Sequence, residues 1–428
     1  MGKSAAMSNT IEIHPITVAV NCVMSVPGSK SITNRALVLA ALGSGRRTLR
    51  HALWSEDTQV MVDCLLRLGF EIWIEADSDE PGNRHITVVG RGGEVPQGGT
   101  ATTPLELSIG NAGTAARFLA AMVCLGRGVY RLSGIERMHQ RPQGALFKSL
   151  RQLGYRIETP NDRLPAIIYG EGPKSGSCVV SIEESSQFAS ALLLSGGIGG
   201  WRIQIEGENA EESPYVSMTT ELMRAFQNAG EVFQIEPDAS SASYVWGANW
   251  LLRDNGSRIE VSGWMQKSLQ IDARFPNMIE KFPNEISRLD ELGDSIMTAI
   301  VLAPFAKEAK RFTDLGRLRV QECERVYALK TELQKCGAQV EEKGDALTVY
   351  PGELHGATIQ TYNDHRMAMC FGTLALKVPG IRIENPSCVK KTFPNFFQKL
   401  AARPPHGLGS KISGLNGVML NLEELNAE

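Results

Sequence analysis

Six short polar stretches of this chain each lead into a run rich in alanine, leucine and methionine. Gly28-Ser29-Lys30-Ser31 precedes Arg35 to Leu42, and Gly110-Asn111-Ala112-Gly113-Thr114 precedes Ala115 to Ala121. Glu184-Ser185-Ser186-Gln187 stands before Phe188 to Leu194, and Asp238-Ala239-Ser240-Ser241 before Ala242 to Leu252. Asp294-Ser295 opens Ile296 to Phe305, and Asp364-His365-Arg366 opens Met367 to Leu376. Small polar residues followed by an apolar run predict capped helices. A helix start presents unpaired N–H groups and a partial positive charge, so it favours anions. One cap alone is commonly structural. Here the openings also carry Lys30, Arg35, Arg117 and Arg366, which together point to a small polyanionic substrate.

The elements that must hold these openings alternate in type. Ile86-Thr87-Val88-Val89, Ile203-Gln204-Ile205 and Leu347-Thr348-Val349-Tyr350 read as strands, while Gln59 to Leu68 and Arg325 to Lys335 read as further helices. An internal repeat of mixed α/β units is the economical reading. The 428 residues suggest two or three domains. With 44 basic against 47 acidic side chains and a pI near 6.2, general binding to nucleic acid or a membrane surface is not expected. No apolar run reaches the roughly 18 residues of a membrane span. Met1 to Ala6 has no signal-peptide core, no Ser or Thr at Ala6 for myristoylation, and Met7 is a second candidate start. The eight cysteines are scattered, without a C-x-x-C pair or a cysteine–histidine cluster. That predicts a reduced, cytoplasmic setting with neither metal site nor disulfide framework.

Five motifs carry a resemblance. They are Pro27-Gly28-Ser29-Lys30-Ser31-Ile32-Thr33-Asn34-Arg35-Ala36, Gly110 to Arg117, Arg141-Pro142, Ser185-Ser186-Gln187 and Tyr362-Asn363-Asp364-His365-Arg366-Met367-Ala368-Met369. The first is not a P-loop, for it lacks the G-x-x-x-x-G-K-[ST] spacing. In this order, and with Lys390-Lys391-Thr392-Phe393-Pro394 near the end, they closely resemble the EPSP synthase family, over nearly the whole chain. The resemblance implies an α/β fold: a two-domain inside-out α/β barrel of the enolpyruvyl transferase type, with six βαβαββ repeats, three per domain. An upper domain at 28–236, a lower domain at 1–27 plus 237–402 and a tail at 403–428 follow from it. Pro404-Pro405 and the glycines after it suggest a linker there, and Val418 to Leu425 a short helix.

The implied reaction transfers the carboxyvinyl group of phosphoenolpyruvate to a substrate hydroxyl and releases phosphate, without metal or organic cofactor. Phosphoenolpyruvate carries a carboxylate and a phosphate, which guanidinium groups hold in bidentate fashion. The resemblance places Lys30, Asn111, Gly113, Arg141, Gln187, Arg325, Arg366 and Lys391 on that donor. Glyphosate is expected to occupy the same place, since Gly113 leaves room. Addition needs a base on the acceptor hydroxyl and an acid for the methylene carbon, and elimination needs both again. Asp294 and Glu322 are the implied carboxylates, with Lys30 and Lys391 sharing proton transfer and charge stabilisation. Read alone, Asp294 after Gly293 is an N-cap, and Glu322 with Arg325 a solvated helix face. His365 is a further candidate.

The acceptor side departs from the family pattern. Ser31, Arg35, Ser185, Ser186, Gln187, Tyr215 and Asp294 are present where acceptor contacts are expected. A serine of the family is replaced by Glu212, a lysine by Gln321, and an asparagine-like residue by Arg317. Glu212 would set an anion against a phosphate dianion, and Gln321 removes a cation, at several kcal/mol in a closed site by order of magnitude, about what Coulomb's law allows at low dielectric. Arg317 could compensate. A hairpin-length segment between Phe226 and Asp238 is also missing, and Ile271 replaces a usual glycine. Three readings follow. The first is transfer to the 5-hydroxyl of 3-phosphoshikimate in aromatic amino acid biosynthesis. The second is transfer to another hydroxylated acid in specialised metabolism. The third is a non-catalytic anion-binding relative. A UDP-sugar acceptor is disfavoured, because the reactive-cysteine loop of the related cell-wall enzyme is not seen. The family's usual state is a monomer.

Overall fold

Strand alternation and helix periodicity both materialise where the sequence places them. Arg325–Lys335 is a helix, Ile86 to Val89 lie within the strand Asn83–Arg91, and Ile203 to Ile205 within Trp201–Glu206. The structure, a computed structural model, describes residues 8–207, 213–265, 267–289 and 291–427. The chain forms two units, Met1–Pro27 with Pro237–Glu428, and Gly28–Glu236. At the crossing, Asp238 N–H donates to the Pro27 carbonyl within the first unit, at 2.8 Å. Within the second, Ser29 N–H donates to the Glu236 carbonyl, also at 2.8 Å.

Among the described residues the first unit holds three sheets. Strands β1 (Thr10–Ile13), β18 (Thr358–Ile359), β19 (Arg382–Glu384) and β20 (Ile412–Gly414) order as β18-β19-β1-β20. Strands β14 (Glu285–Ser287), β15 (Lys310–Thr313), β16 (Val340–Lys343) and β17 (Ala346–Val349) order as β14-β15-β17-β16. The third sheet is a parallel pair, β2 (Asn21–Met24) with β13 (Arg258–Val261). In the second unit, β3 (Ser44–Leu53), β4 (Glu71–Ala76), β5 (Asn83–Arg91) and β12 (Val232–Gln234) order as β12-β3-β5-β4. Strands β6 (Leu105–Ser108), β7 (Arg127–Ser133), β8 (Arg156–Glu158) and β9 (Ala166–Glu171) order as β6-β7-β9-β8. Its third sheet is again a parallel pair, β10 (Gly176–Ser181) with β11 (Trp201–Glu206).

Each unit is centred on three helices that touch one another. They are Lys30–Leu42, Gly113–Met122 and Ser186–Gly199 in one unit, and Ala239–Leu252, Ile296–Leu302 and His365–Leu374 in the other. A helix apolar on every side must be enclosed to be stable. All seven residues of Ile296–Leu302 and all ten of His365–Leu374 are buried, so the charged residues at their starts are carried into the interior. Ser185 caps its helix by accepting from Gln187 N–H, Asp238 by accepting from Ser241 N–H, and Asp364 by accepting from Arg366 N–H. Gly200 closes the helix Ser186–Gly199 in the left-handed conformation, φ 69°, which a glycine adopts without penalty. No helix among the described residues is long and apolar enough to cross a membrane.

The segment 403–428 corrects the reading of a separate tail. It belongs to the first unit, where β20 pairs antiparallel with β1, Ile13 standing opposite Ile412. Leu408, Ile412 and Leu425 are buried, and in place of a helix Met419 bridges Ser413 and residues 422–425 form a turn. The partner strand lies at the other end of the chain, so local sequence carried no sign of it.

All eight cysteines are free thiols. Burial pushes Cys22 up to about 11 and Cys64, Cys336, Cys370 and Cys388 up to about 12. Cys124, Cys178 and Cys323 are raised for the same first cause. Thiolate is the reactive species, so native protein at about pH 7.5 should give almost no prompt reaction with Ellman's reagent. The full complement should appear in denaturant, and a fast-reacting native thiol would contradict this.

Candidate active site

In the unit Gly28–Glu236, one chain of contacts runs through the predicted donor residues. Gly113 is the first residue of its helix, and a Cβ there would lie 2.3 Å from Arg117 Nη1 and 2.7 Å from both Arg141 Nη atoms. Only glycine lets two guanidinium groups come this near the backbone. Arg141 donates to the Asn111 carbonyl at 3.2 Å. Arg117 donates to Gln187 Oε1 at 3.2 Å and to the Pro142 carbonyl at 3.0 Å. Gln187 Nε2 in turn donates to Thr114 Oγ1 at 3.3 Å. Asn111 Oδ1 is buried without a hydrogen-bond partner among the described residues, an acceptor open to a ligand's donor. Arg117, which the sequence reading treated only as a charge near a helix start, is the link between Gln187 and Gly113.

Gly113→Ala should displace these guanidinium groups while favouring the helix. The expected result is a KM for phosphoenolpyruvate raised roughly 10- to 100-fold, as for a small misplacement of binding groups, with no fall in Tm. Steady-state kinetics and thermal melts check it, and an unchanged KM would contradict it.

The other residues of this unit divide into two groups. Lys30 opens the helix Lys30–Leu42, and its Nζ lies 3.2 Å from Asp57 Oδ2, a partner that the sequence reading missed. Arg35 is buried, with Nε on Thr219 Oγ1 at 2.8 Å, Nη2 on Ser190 Oγ at 3.1 Å and Nη1 on the Ser31 carbonyl at 3.0 Å. Its charged form is penalised by burial, opposed by Tyr215, and its value falls to about 10, leaving it a cation at neutral pH. Tyr215 is half-buried on the helix Ser213–Asn228, one turn before Thr219, whose hydroxyl donates to the Tyr215 carbonyl at 2.8 Å. Ser185 and Ser186 are buried at the start of Ser186–Gly199. Glu212 lies outside the described residues.

The first unit gathers Asp294, Glu322, Arg325, Arg366 and Lys391 into a single charge network. Asp294 does not act as the N-cap that its position suggests: it sits 3.1 Å from Arg366 Nε, 3.4 Å from Arg288 Nη2 and 3.7 Å from Arg325 Nη1. Burial alone would raise its carboxyl. Arg366, Arg325 and Arg288 outweigh that and hold it well below the usual carboxylate range, against a smaller push from Glu322. Arg325 and Glu322 are no solvated face either. Arg325 is 1% exposed, bonded to Asp364 at 2.7 Å and to Glu322 at 2.8 Å. Lys391 Nζ lies 3.3 Å from the other Glu322 oxygen. Burial disfavours the Arg325 charge, but Asp364, Glu322 and Asp294 hold it firmly protonated. Arg366 is likewise held protonated, Asp294 being the largest counterweight to burial.

Gln321 bridges this network. Its Nε2 donates to Asp294 Oδ1 at 3.5 Å, and its Oε1 accepts from Arg325 Nη1. A lysine at that position would press a second cation on Arg325. Arg317 is half-buried in the short turn Gly316–Val320. His365 is 1% exposed, its Nδ1 3.7 Å from Asp364 Oδ1.

Two supporting residues escaped the sequence reading. Asp272 accepts from Gly293 N–H at 2.7 Å, from Ser295 N–H at 3.1 Å and from the hydroxyls of Ser295 and Ser240. It therefore ties two helix starts together and fixes the loop that presents Asp294. Arg288 follows the strand β14 and had no local signal. For metal chemistry, His51, Asp77 and Asp79 bring ligand atoms within 4.8 Å of one another. His51 Nδ1 and Asp77 Oδ2 already bond at 2.7 Å, and the other Asp77 oxygen accepts from Asp79 N–H at 2.9 Å, so the group reads as an internal hydrogen-bond set.

With this geometry in view, comparison with solved structures gives the class. The EPSP synthase of Acinetobacter baumannii superposes with a TM-score of 0.68 at 20% identity, over 94% of this chain and 99% of that one. The enolpyruvyl transferase NikO of Streptomyces tendae superposes at 0.64 with 15% identity, over 96% and 99%. The fold is that of the enolpyruvyl transferases. A family model described as EPSP synthase (3-phosphoshikimate 1-carboxyvinyltransferase) matches residues 15–229 and 227–400. A Trichormus variabilis protein named 3-phosphoshikimate 1-carboxyvinyltransferase is 35% identical over 432 residues, covering 91% of this chain and 98% of that protein. One of the same name from Vibrio atlanticus is 38% identical over 419 residues, covering 88% and 95%. The chain belongs to the EPSP synthase family.

Proposed function

We propose that this protein transfers the enolpyruvyl group of phosphoenolpyruvate to the 5-hydroxyl of 3-phosphoshikimate and releases phosphate. The observation that carries the reading is the network of Asp294, Glu322, Arg325, Arg366 and Lys391. Two carboxylates held among fixed cations, with contacts of 2.8 to 3.7 Å, serve proton transfer near a bound polyanion. A protein that only binds anions has no use for both acids. The acceptor oxygen attacks C2 of phosphoenolpyruvate while its methylene carbon takes a proton. The resulting methyl then loses a proton as the C–O bond to phosphate breaks. Atoms and charge balance without a redox partner or an organic cofactor.

The electrostatics support a division of labour between the acids. Asp294 is held ionised, which suits it to aligning the acceptor hydroxyl and to taking its proton only as the new C–O bond makes that proton acidic; it is poorly suited to donating one at the start. The Lys391–Glu322 pair is the couple that carries a proton to and from the substrate carbon. Lys30, Asn111, Arg141, Gln187, Arg325 and Arg366 hold the donor, and Ser31, Arg35, Ser185, Ser186 and Tyr215 the acceptor. The fold proposed with this reading is the inside-out α/β barrel of six βαβαββ repeats, in which two of the six sheets among the described residues are parallel strand pairs. Gln321 favours a second reading. It is committed to Asp294 and Arg325 where the family pattern has a lysine, which suits an acceptor lacking the phosphate.

The test is phosphate release from phosphoenolpyruvate with 3-phosphoshikimate, with unphosphorylated shikimate, and with neither. Turnover that requires the phosphorylated acceptor is expected. A folded protein that binds phosphoenolpyruvate yet turns over neither compound would overturn the first reading, and turnover of shikimate alone would establish the second.

A further inference from the structure

Four of the six sheets share one construction: a parallel strand pair, then two antiparallel strands laid against the second member of that pair. The covered strands are β3 by β5, β7 by β9, β15 by β17 and β19 by β1. In the two remaining sheets no covering strand is found among the described residues; there nothing pairs with the far side of β11, whereas on β13 the outward Ile259 N–H already donates to Asn249 Oδ1 at 2.8 Å. An open strand edge is a template for another strand.

The direction of the free groups on β11 follows from two hydrogen bonds. Ile182 N–H donates to the Glu206 carbonyl at 3.0 Å, and Gly176 N–H to the Gly200 carbonyl at 3.4 Å. Residues 202, 204 and 206 therefore turn their backbone groups to β10, while Ile203 and Ile205 turn theirs to the open edge. The side chains of Arg202, Gln204 and Glu206 are exposed, and those of Ile203 and Ile205 are half-buried on the opposite face. Among the described residues neither Arg202 nor Glu206 has an ion pair; they meet only Ser177 Oγ and the Gln204 amide.

We propose that β11 pairs antiparallel with β11 of a second copy of this chain, in the register centred on Gln204. That register sets the outward backbone groups of Ile203 against those of the partner's Ile205, a hydrogen-bonded pair made twice by symmetry. It also sets Arg202 opposite the partner's Glu206, again twice, at non-hydrogen-bonded positions where side chains stand closest. Ile203 and Ile205 meet on the inner face. The product is a four-stranded sheet, the width of the four complete sheets. A register shifted by one residue toward the N-terminus sets Arg202 opposite Gln204 and forfeits both ion pairs. An edge guarded against pairing carries like charges or an inward-pointing charge; here the inward residues are isoleucines and the outward charges are opposite and symmetric about Gln204.

Two short strands bury little area, so the dimer belongs to the weak, reversible class, with half-association at about 10–100 µM. Sedimentation of the full chain over about 1–500 µM should show a monomer–dimer equilibrium. Arg202→Glu should weaken it about tenfold or more by opposing two like charges, and the exchanged pair Arg202→Glu with Glu206→Arg should restore it. Hydrogen exchange at high protein concentration should protect the Ile203 and Ile205 amides. A monomer throughout the range overturns the proposal. So does a dimer indifferent to both variants, or concentration-dependent protection confined to Val261 on β13, which would place the contact elsewhere.

Discussion

Asp294→Asn should lower kcat for phosphate release by about 10³-fold, the scale of losing a positioned general base, while the protein stays folded. The isosteric amide keeps the size of the side chain and one acceptor oxygen. It loses the charge that Arg288, Arg325 and Arg366 surround. The same change has a stability signature whose sign follows from the direction of the Asp294 shift. Its folded value lies below the ordinary carboxylate value near about 3.9, so the stabilising contribution is complete above that pH. It is lost only as pH falls through the depressed folded value. Chemical denaturation should therefore show a constant gap between wild type and variant from about pH 5 to 8, narrowing in stronger acid. A gap that instead widened below about pH 4 would contradict the assignment of Asp294 as the ionised centre of the network.

Asp364→Asn should cost about 3–5 kcal/mol of stability, the usual toll of stripping one partner from a buried ion pair. Asp364 is wholly buried, receives Arg325 Nε at 2.7 Å and Nη2 at 3.3 Å, and caps the helix of Arg366 through its N–H at 2.8 Å. On the proposed reading it works by positioning, holding the Arg325 side chain and the backbone of Arg366. The chain reaches it through Tyr362 and Asn363, both left-handed at φ 54° and 55°. Non-glycine residues occupy that region at a cost, so the surrounding structure must insist on the placement of Asp364. The Tyr362 hydroxyl, donating to Glu332 at 2.9 Å, is part of that insistence. A merely structural role would lower Tm and leave the kinetics of the folded fraction alone. A positioning role predicts, well below Tm, a KM for phosphoenolpyruvate raised about tenfold or more with a smaller change in kcat.

What the sequence disclosed and what it withheld divide along physical lines. Helix starts at Lys30, Gly113, Ser186, Ala239 and His365 were legible because caps and apolar runs are local. Glu322 and Arg325 stood out only through resemblance; an i, i+3 charge pair looks like any exposed helix face until burial is known. Arg117, Arg288, Asp57 and Asp272 went unassigned because their partners are remote in sequence and no spacing connects them. Asp364 stood in plain view within a quoted motif, yet a cap and a twofold arginine anchor look the same in one dimension. The pairing of β1 with β20 joins the two ends of the chain, a register that only tertiary structure specifies.

The crossing at Pro27 and Asp238 makes the segment Gly28–Glu236 an insertion in topological terms. Its two ends are bonded to one another, Ser29 to Glu236, and the flanks it leaves behind are likewise bonded, Pro27 to Asp238. A single splice of 27 to 237 would leave the remaining chain continuous with no gap to bridge, and the excised segment would begin and end at one place. Such ends are the ones that tolerate circular permutation and exchange of whole modules. Cutting the gene at these two codons should therefore give two polypeptides, each carrying the residues of its own three central helices.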